Sequence, residues 1–101
     1  MNKTKVIFRK VTTPANYAGE IVAVFPYTYD IRRDCCTCYQ HTGQHGDCSI
    51  GWYRNCTAAA TPEEYNALLN ELVNMIGYSD LQILKRFPAG MYWRKDNEEA
   101  R

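Results

Sequence analysis

"ATPEEYNALLNELVNMIG", residues 60–77, decides the fold class, because it reads as one amphipathic helix in a chain whose other segments read as strands. Thr61 stands where a cap accepts from the first helical turn, and Pro62 suits the position that follows. Glu64 lies three residues after the cap, within reach of the cap's own N–H. Tyr65, Leu68, Leu69, Leu72, Val73 and Ile76 then recur at helical spacing on one stripe, and Gly77 occupies the place of a left-handed terminating residue. Such a stripe must face a core, and each fully buried side chain on it contributes about 1.5–3 kcal/mol.

Outward from the helix, the chain alternates between β-favouring runs and breakers. "KVIFRK" at 5–10 and "EIVAVFP" at 20–26 read as the two arms of a hairpin joined by "TTPANYAG", which carries the proline and glycine of a connection. The second run is apolar on both alternating faces, as in a strand covered on two sides. "YTYDIRRD" at 27–34 reads as a further connection and "CCTCYQHT" at 35–42 as a third strand, with Cys36, Cys38 and Gln40 on one face and Thr37, Tyr39 and His41 on the other. "GQHGDC" reads as a loop, "SIGWYRNC" at 49–56 as a fourth strand and "LQILKRF" at 81–87 as a fifth.

The expected architecture is therefore α+β: an antiparallel sheet of about five strands in the order ββββαβ, with one helix on one face. One domain spans residues 1–87, and 88–101, with Met91, Tyr92 and Trp93 together, forms a tail or anchor. One helix leaves the other sheet face uncovered, which favours a homo-oligomer, specifically a symmetric dimer.

Charge narrows the partners. The formal net charge is +1, against a chain that coats nucleic acid by neutralising phosphates. Lys3, Lys5, Arg9 and Lys10 nevertheless precede the first acid, Glu20, so a small anionic ligand fits the pattern. No stretch has the length and apolarity of a membrane span, and a cytoplasmic location is expected. Five cysteines in a reducing compartment are expected as free thiols.

The chemistry concentrates in residues 35–48, which hold four cysteines and both histidines. Cys38, His41, His45 and Cys48 form a thiolate and imidazole set of the kind zinc prefers, although strand alternation separates Cys38 from His41. A nucleophilic cysteine served by a histidine and oriented by Asp47 is a second reading. In a third, "YQHTGQHG" is a recognition segment: Gly43 lets the backbone approach a ligand, and Tyr39, His41, Gln44 and His45 supply rings, donors and acceptors. Tyr39, Trp52 and Tyr53 would stack on a flat base, and Arg54 or Arg86 would meet a phosphate. Against all three stands plain packing, with thiols as small hydrophobes and the glycine loop as an ordinary connection.

"VIFRK", "IVAVFP", "CYQHTGQHG", "TPEEYNALLNEL" and "IGYSDLQILKR" resemble, in that order and across about residues 5–87, a family of short uncharacterised proteins of phages and bacterial mobile elements. Its most specific part is the run of Tyr39, His41, Gly43, Gln44 and His45. The pattern does not require the surrounding cysteines, which weakens the zinc reading, and Cys35, Cys36 and "TTPANYAG" depart from it. The resemblance implies no established activity. It implies a context, the bacterial host cell, in which small accessory proteins evade host defences, some by sequestering nucleotide signals. The expectation is thus a non-enzymatic binding module with no resident cofactor and a small, nucleotide-like anion as ligand. The alternatives are a zinc- or cysteine/histidine-dependent hydrolase centred on residues 35–48, and a protein-binding inhibitor that uses its aromatic sheet face and the Met91 to Trp93 anchor.

Overall fold

The computed structural model describes residues 3–41 and 43–87. The proposed tail and the anchor of Met91 to Trp93 lie outside the described residues. Strands β1 (Thr4–Val11), β2 (Ile21–Asp30), β3 (Cys35–Tyr39) and β4 (His45–Ser49) follow one another as antiparallel neighbours. Helix α1 (Ile50–Cys56), the short β5 (Thr57–Ala59), helix α2 (Pro62–Glu71) and β6 (Leu81–Leu84) complete the domain. The sheet order is β4-β3-β2-β1-β5, with β6 also on β1.

The α+β class stands, but the sheet has six strands and is mixed, because β6 runs parallel to β1 with Thr4 opposite Leu81 and Ile7 opposite Leu84. The long passage from β1 through two helices returns the chain in the same direction, as parallel neighbours require.

"SIGWYRNC" is a helix and not the expected fourth strand. Ser49 caps it by accepting from the Trp52 N–H at 3.1 Å. That bond outweighs the strand preference of the aromatic residues. The fourth strand, His45–Ser49, comes instead mostly from the segment read as a loop, 43–48, and is a polar edge strand with only Cys48 buried. β2 likewise extends through "YTYD", read as a connection.

Helix α1 supplies the cover that a single-helix architecture lacked. Beneath it, Ile7, Val22, Val24, Cys36, Cys38 and Cys48 pack with Ile50 and Tyr53. On the other face, Val6, Phe8, Ala23, Phe25 and Tyr39 pack with Leu68 of α2 and with Leu72, which directly follows it. Phe8 and Tyr65 stack there at 4.3 Å. Both faces of "IVAVF" are thus covered within one chain, and the expected need for a second copy loses its premise.

The start of α2 forms as the sequence dictates. Thr61 and Glu64 make the reciprocal capping box, and Lys10 of β1 reaches Glu64 at 2.5 Å, holding that carboxyl below its usual range. The last turn, Leu72–Ile76, is a π-helix ending on Gly77 at φ 101°. The wider turn shifts the helical phase, so Val73, placed on the core stripe by its spacing, is 43% exposed.

Candidate functional site

Tyr39, His41, Gly43, Gln44 and His45 lie together at the β3–β4 hairpin, where Tyr39 pairs with His45. Alternation along β3 sends Tyr39 to the α2 side, where it is almost fully buried. Its hydroxyl donates to a carboxylate oxygen of Glu71 in the last turn of α2, and it accepts from the Gly43 N–H at 3.2 Å. His41 sits at φ 57°, a left-handed conformation in which histidine is enriched, and its Nδ1 lies 2.5 Å from the other Glu71 oxygen. Because the carboxylate accepts, Nδ1 carries the hydrogen.

Glu71 is therefore the pin between hairpin and helix. The bonds from Tyr39 and then His41 hold its carboxyl below the ordinary range. The same bond, with burial second, pushes the Tyr39 phenol upward. His41 is 46% exposed and Glu71 only 17%. The imidazole thus keeps one edge in solvent while its other edge is fixed.

His45 makes a second link. Its ring lies 5.5 Å from Tyr39 and 5.7 Å from Phe25, and its Nε2 is 2.9 Å from the Tyr78 hydroxyl. Tyr78, just beyond Gly77, stacks on Phe25 at 5.5 Å with ring planes 23° apart. Burial raises its phenol pKa, with nearby Asp80 adding to the shift.

Tyr78 also lines a cleft of about 700 Å³, within the range of small-molecule sites. Three rings (Phe25, Tyr27, Tyr78), three hydroxyls (Thr4, Thr28, Thr37) and two lysines (Lys3, Lys5) line it, drawn from β1, β2, β3 and the segment after α2. An irregularity in β2 shapes the cleft. Pro26 has no N–H for the ladder, and the register shifts between Phe25 and Asp30. The Thr28 hydroxyl fills the gap, accepting from the Thr37 N–H at 2.7 Å and donating to the Phe25 carbonyl at 2.6 Å. Beside it Tyr27 is 64% exposed, an open aromatic surface at the cleft.

The charge of this cleft is mostly positive. Among the described residues no acid lines it, although Asp80 accepts from the Thr4 hydroxyl at 3.3 Å nearby. Lys5 Nζ is engaged by Gln82 at 2.5 Å. Pleating places Lys5 opposite in face to Val6, whereas Lys3 precedes the strand and escapes that constraint.

The remaining expected ligand residues lie elsewhere. Tyr53 and Arg54 sit on α1 across the sheet; Tyr53 is buried with the Arg9 guanidinium 4.4 Å from its ring centroid. Arg86 is exposed after β6, at the edge opposite β4. Conversely, Tyr27, Thr28, Thr37 and Tyr78 escaped the sequence reading, and Lys3 was noted only as part of the basic start of the chain. The basic start of the chain and its eight tyrosines were the available signals.

The zinc set is split by the sheet. Cys38 and Cys48 face α1, whereas His41 and His45 make their contacts on the α2 side. Among the described residues no three His, Cys, Asp or Glu side chains are arranged to hold a metal. The thiols pack against one another. A bond to Cys48 and burial push Cys38 well up, and a bond to Cys36 with burial pushes Cys48 up to about 12. They stay protonated near neutrality and stand across the sheet from both imidazoles, so neither of these two thiols pairs with His41 or His45. All five cysteines are free. No helix among the described residues is long and apolar enough to cross a membrane.

No family model matches the chain, nor does any curated protein or solved structure. Its function must be argued from this geometry.

Proposed function

We propose that the chain is a non-enzymatic binding protein that takes a small, anionic, nucleotide-like ligand in the cleft beside the β3–β4 hairpin. The observation that carries this reading is the meeting of an exposed Tyr27 ring, the stacked Phe25 and Tyr78 pair and Lys3 around one volume of about 700 Å³. Aromatic faces accept a planar base, and a lysine ammonium meets a phosphate as a mobile point charge. In this reading the "YQHTGQHG" segment positions the site more than it touches the ligand: His45 holds Tyr78, while Tyr39 and His41 fix the hairpin through Glu71. With the resemblance to short phage proteins, the ligand class points to sequestration of a nucleotide signal of host defence.

Calorimetry of the intact protein against cyclic and linear nucleotides, with inorganic phosphate as a control, tests the reading. Saturable heat from a nucleotide is expected, with affinity falling about tenfold in Lys3→Gln and less in Lys5→Gln, whose ammonium already has a partner. Absence of heat from every nucleotide, with the protein folded, would overturn the proposal.

A further inference from the structure

A second cavity, of about 450 Å³, lies on the α1 side of the sheet, under the connection between β1 and β2. That connection contains the 3-10 turn Ala15–Tyr17 and ends in Glu20, whose N–H donates to the Tyr17 carbonyl at 3.2 Å. Tyr17, 53% exposed, supplies one aromatic wall, and Trp52 of α1 another. Cys38 and Cys48, only 6% exposed each, contribute apolar thiol surface to its lining. Gln40 and Glu20 provide the polar groups that meet a ligand.

Its charge is opposite to that of the first cleft. Among the described residues no lysine, arginine or histidine lines it. Asp47 contributes to the lining, but its carboxylate is taken by Arg33. Among the described residues the Glu20 carboxylate has no ion-pair partner. The described lining thus combines the Glu20 carboxylate, the rings of Tyr17 and Trp52 and the thiols of Cys38 and Cys48, while the Arg33 and Asp47 charges offset each other. Anions are disfavoured there, and a positive charge gains from both the carboxylate and the rings.

We propose that this cavity is a binding site for a small organic cation, an ammonium or guanidinium carried on a compact apolar body. The cation lies against Tyr17 and Trp52, Glu20 balances its charge and the apolar part rests on the thiol surface. The site is independent of the nucleotide cleft, since the two share no lining residue and occupy opposite faces of the sheet.

Trp52 is the reporter. In the full chain carrying Trp93→Phe, its fluorescence is followed during titration with tetramethylammonium and with agmatine, and with neopentyl alcohol as a neutral body of similar shape. A saturable change is expected with at least one cation, with the alcohol weaker by about tenfold, and Glu20→Gln should weaken the cation by about tenfold. Tyr17→Leu should weaken it about two- to tenfold. Lys3→Gln should leave it unchanged, which keeps the result separate from the other cleft. Far-UV circular dichroism confirms that each variant is folded. The proposal is overturned if neither cation gives a saturable change, if the neutral alcohol binds as well, or if folded Glu20→Gln binds the cation as tightly as the parent.

Discussion

The imidazole Nε2 of His45 and the hydroxyl of Tyr78 stand 2.9 Å apart, so the edge strand β4 holds a ring that belongs to the segment after α2. Removing the hydroxyl with Tyr78→Phe should cost about 1 kcal/mol. His45→Ala should cost more, because it also removes ring contacts with Phe25 and Tyr39. Urea unfolding followed by intrinsic fluorescence measures both. Calorimetry should show weaker nucleotide binding in each, with the Tyr78 ring retained in the first and freed in the second.

Acid should loosen the hairpin from α2. The Glu71 carboxyl is held below its ordinary range by the Tyr39 and His41 bonds, so its ionised form stabilises the fold above the usual carboxylate pKa. That contribution fades as pH falls below about 4 and through the lower folded-state value. Glu71→Gln should therefore be less stable than the parent at neutral pH, and the gap should close on acidification. A gap that stays constant between neutral and acid pH in urea titrations would remove this role from the carboxylate.

Each layer should fail on its own truncation. Leu68 under α2 and Ile50 under α1 are both fully buried. Leu68→Ala and Ile50→Ala should each cost about 2–5 kcal/mol, with the spread set by how far the surroundings close in. Were Ile50→Ala nearly neutral, α1 could not be the cover of its sheet face.

Alkylation should sort the thiols by layer. Cys35 and Cys56 are half-buried, whereas Cys36, Cys38 and Cys48 lie under α1, with the Cys48 thiol pushed up to about 12. Iodoacetamide at mildly alkaline pH should label the first two early and the other three only as the domain opens. Tryptic mass spectrometry reads the order, and early labelling of Cys48 would contradict the packing.

Helix α2 was readable because its signals are local: Thr61, Pro62, Glu64 and Gly77 each act within one turn. Helix α1 was not, because Ile50, Trp52 and Tyr53 suit a strand as well. The deciding cap at Ser49 looks like any serine until the Trp52 N–H is placed. Residues 45–48 read as a loop because an edge strand with a solvated face has little apolar alternation. The parallel seating of β6 leaves no local mark at all. At the site, the compact run of Tyr39, His41, Gly43, Gln44 and His45 was visible as a unit. The cleft beside it was not, because Lys3, Tyr27, Thr37 and Tyr78 meet only after the sheet closes.

The parallel pairing of β1 with β6 also governs when the protein can fold. Thr4 through Ile7 find their neighbour on this side only at Leu81 through Leu84. During synthesis this stretch, which contains the fully buried Val6 and Ile7, must wait with one side unzipped until nearly every described residue has left the ribosome. Release of a nascent chain stalled before residue 81 should thus leave a sticky, chaperone-dependent intermediate, while a stall beyond Phe87 should permit closure.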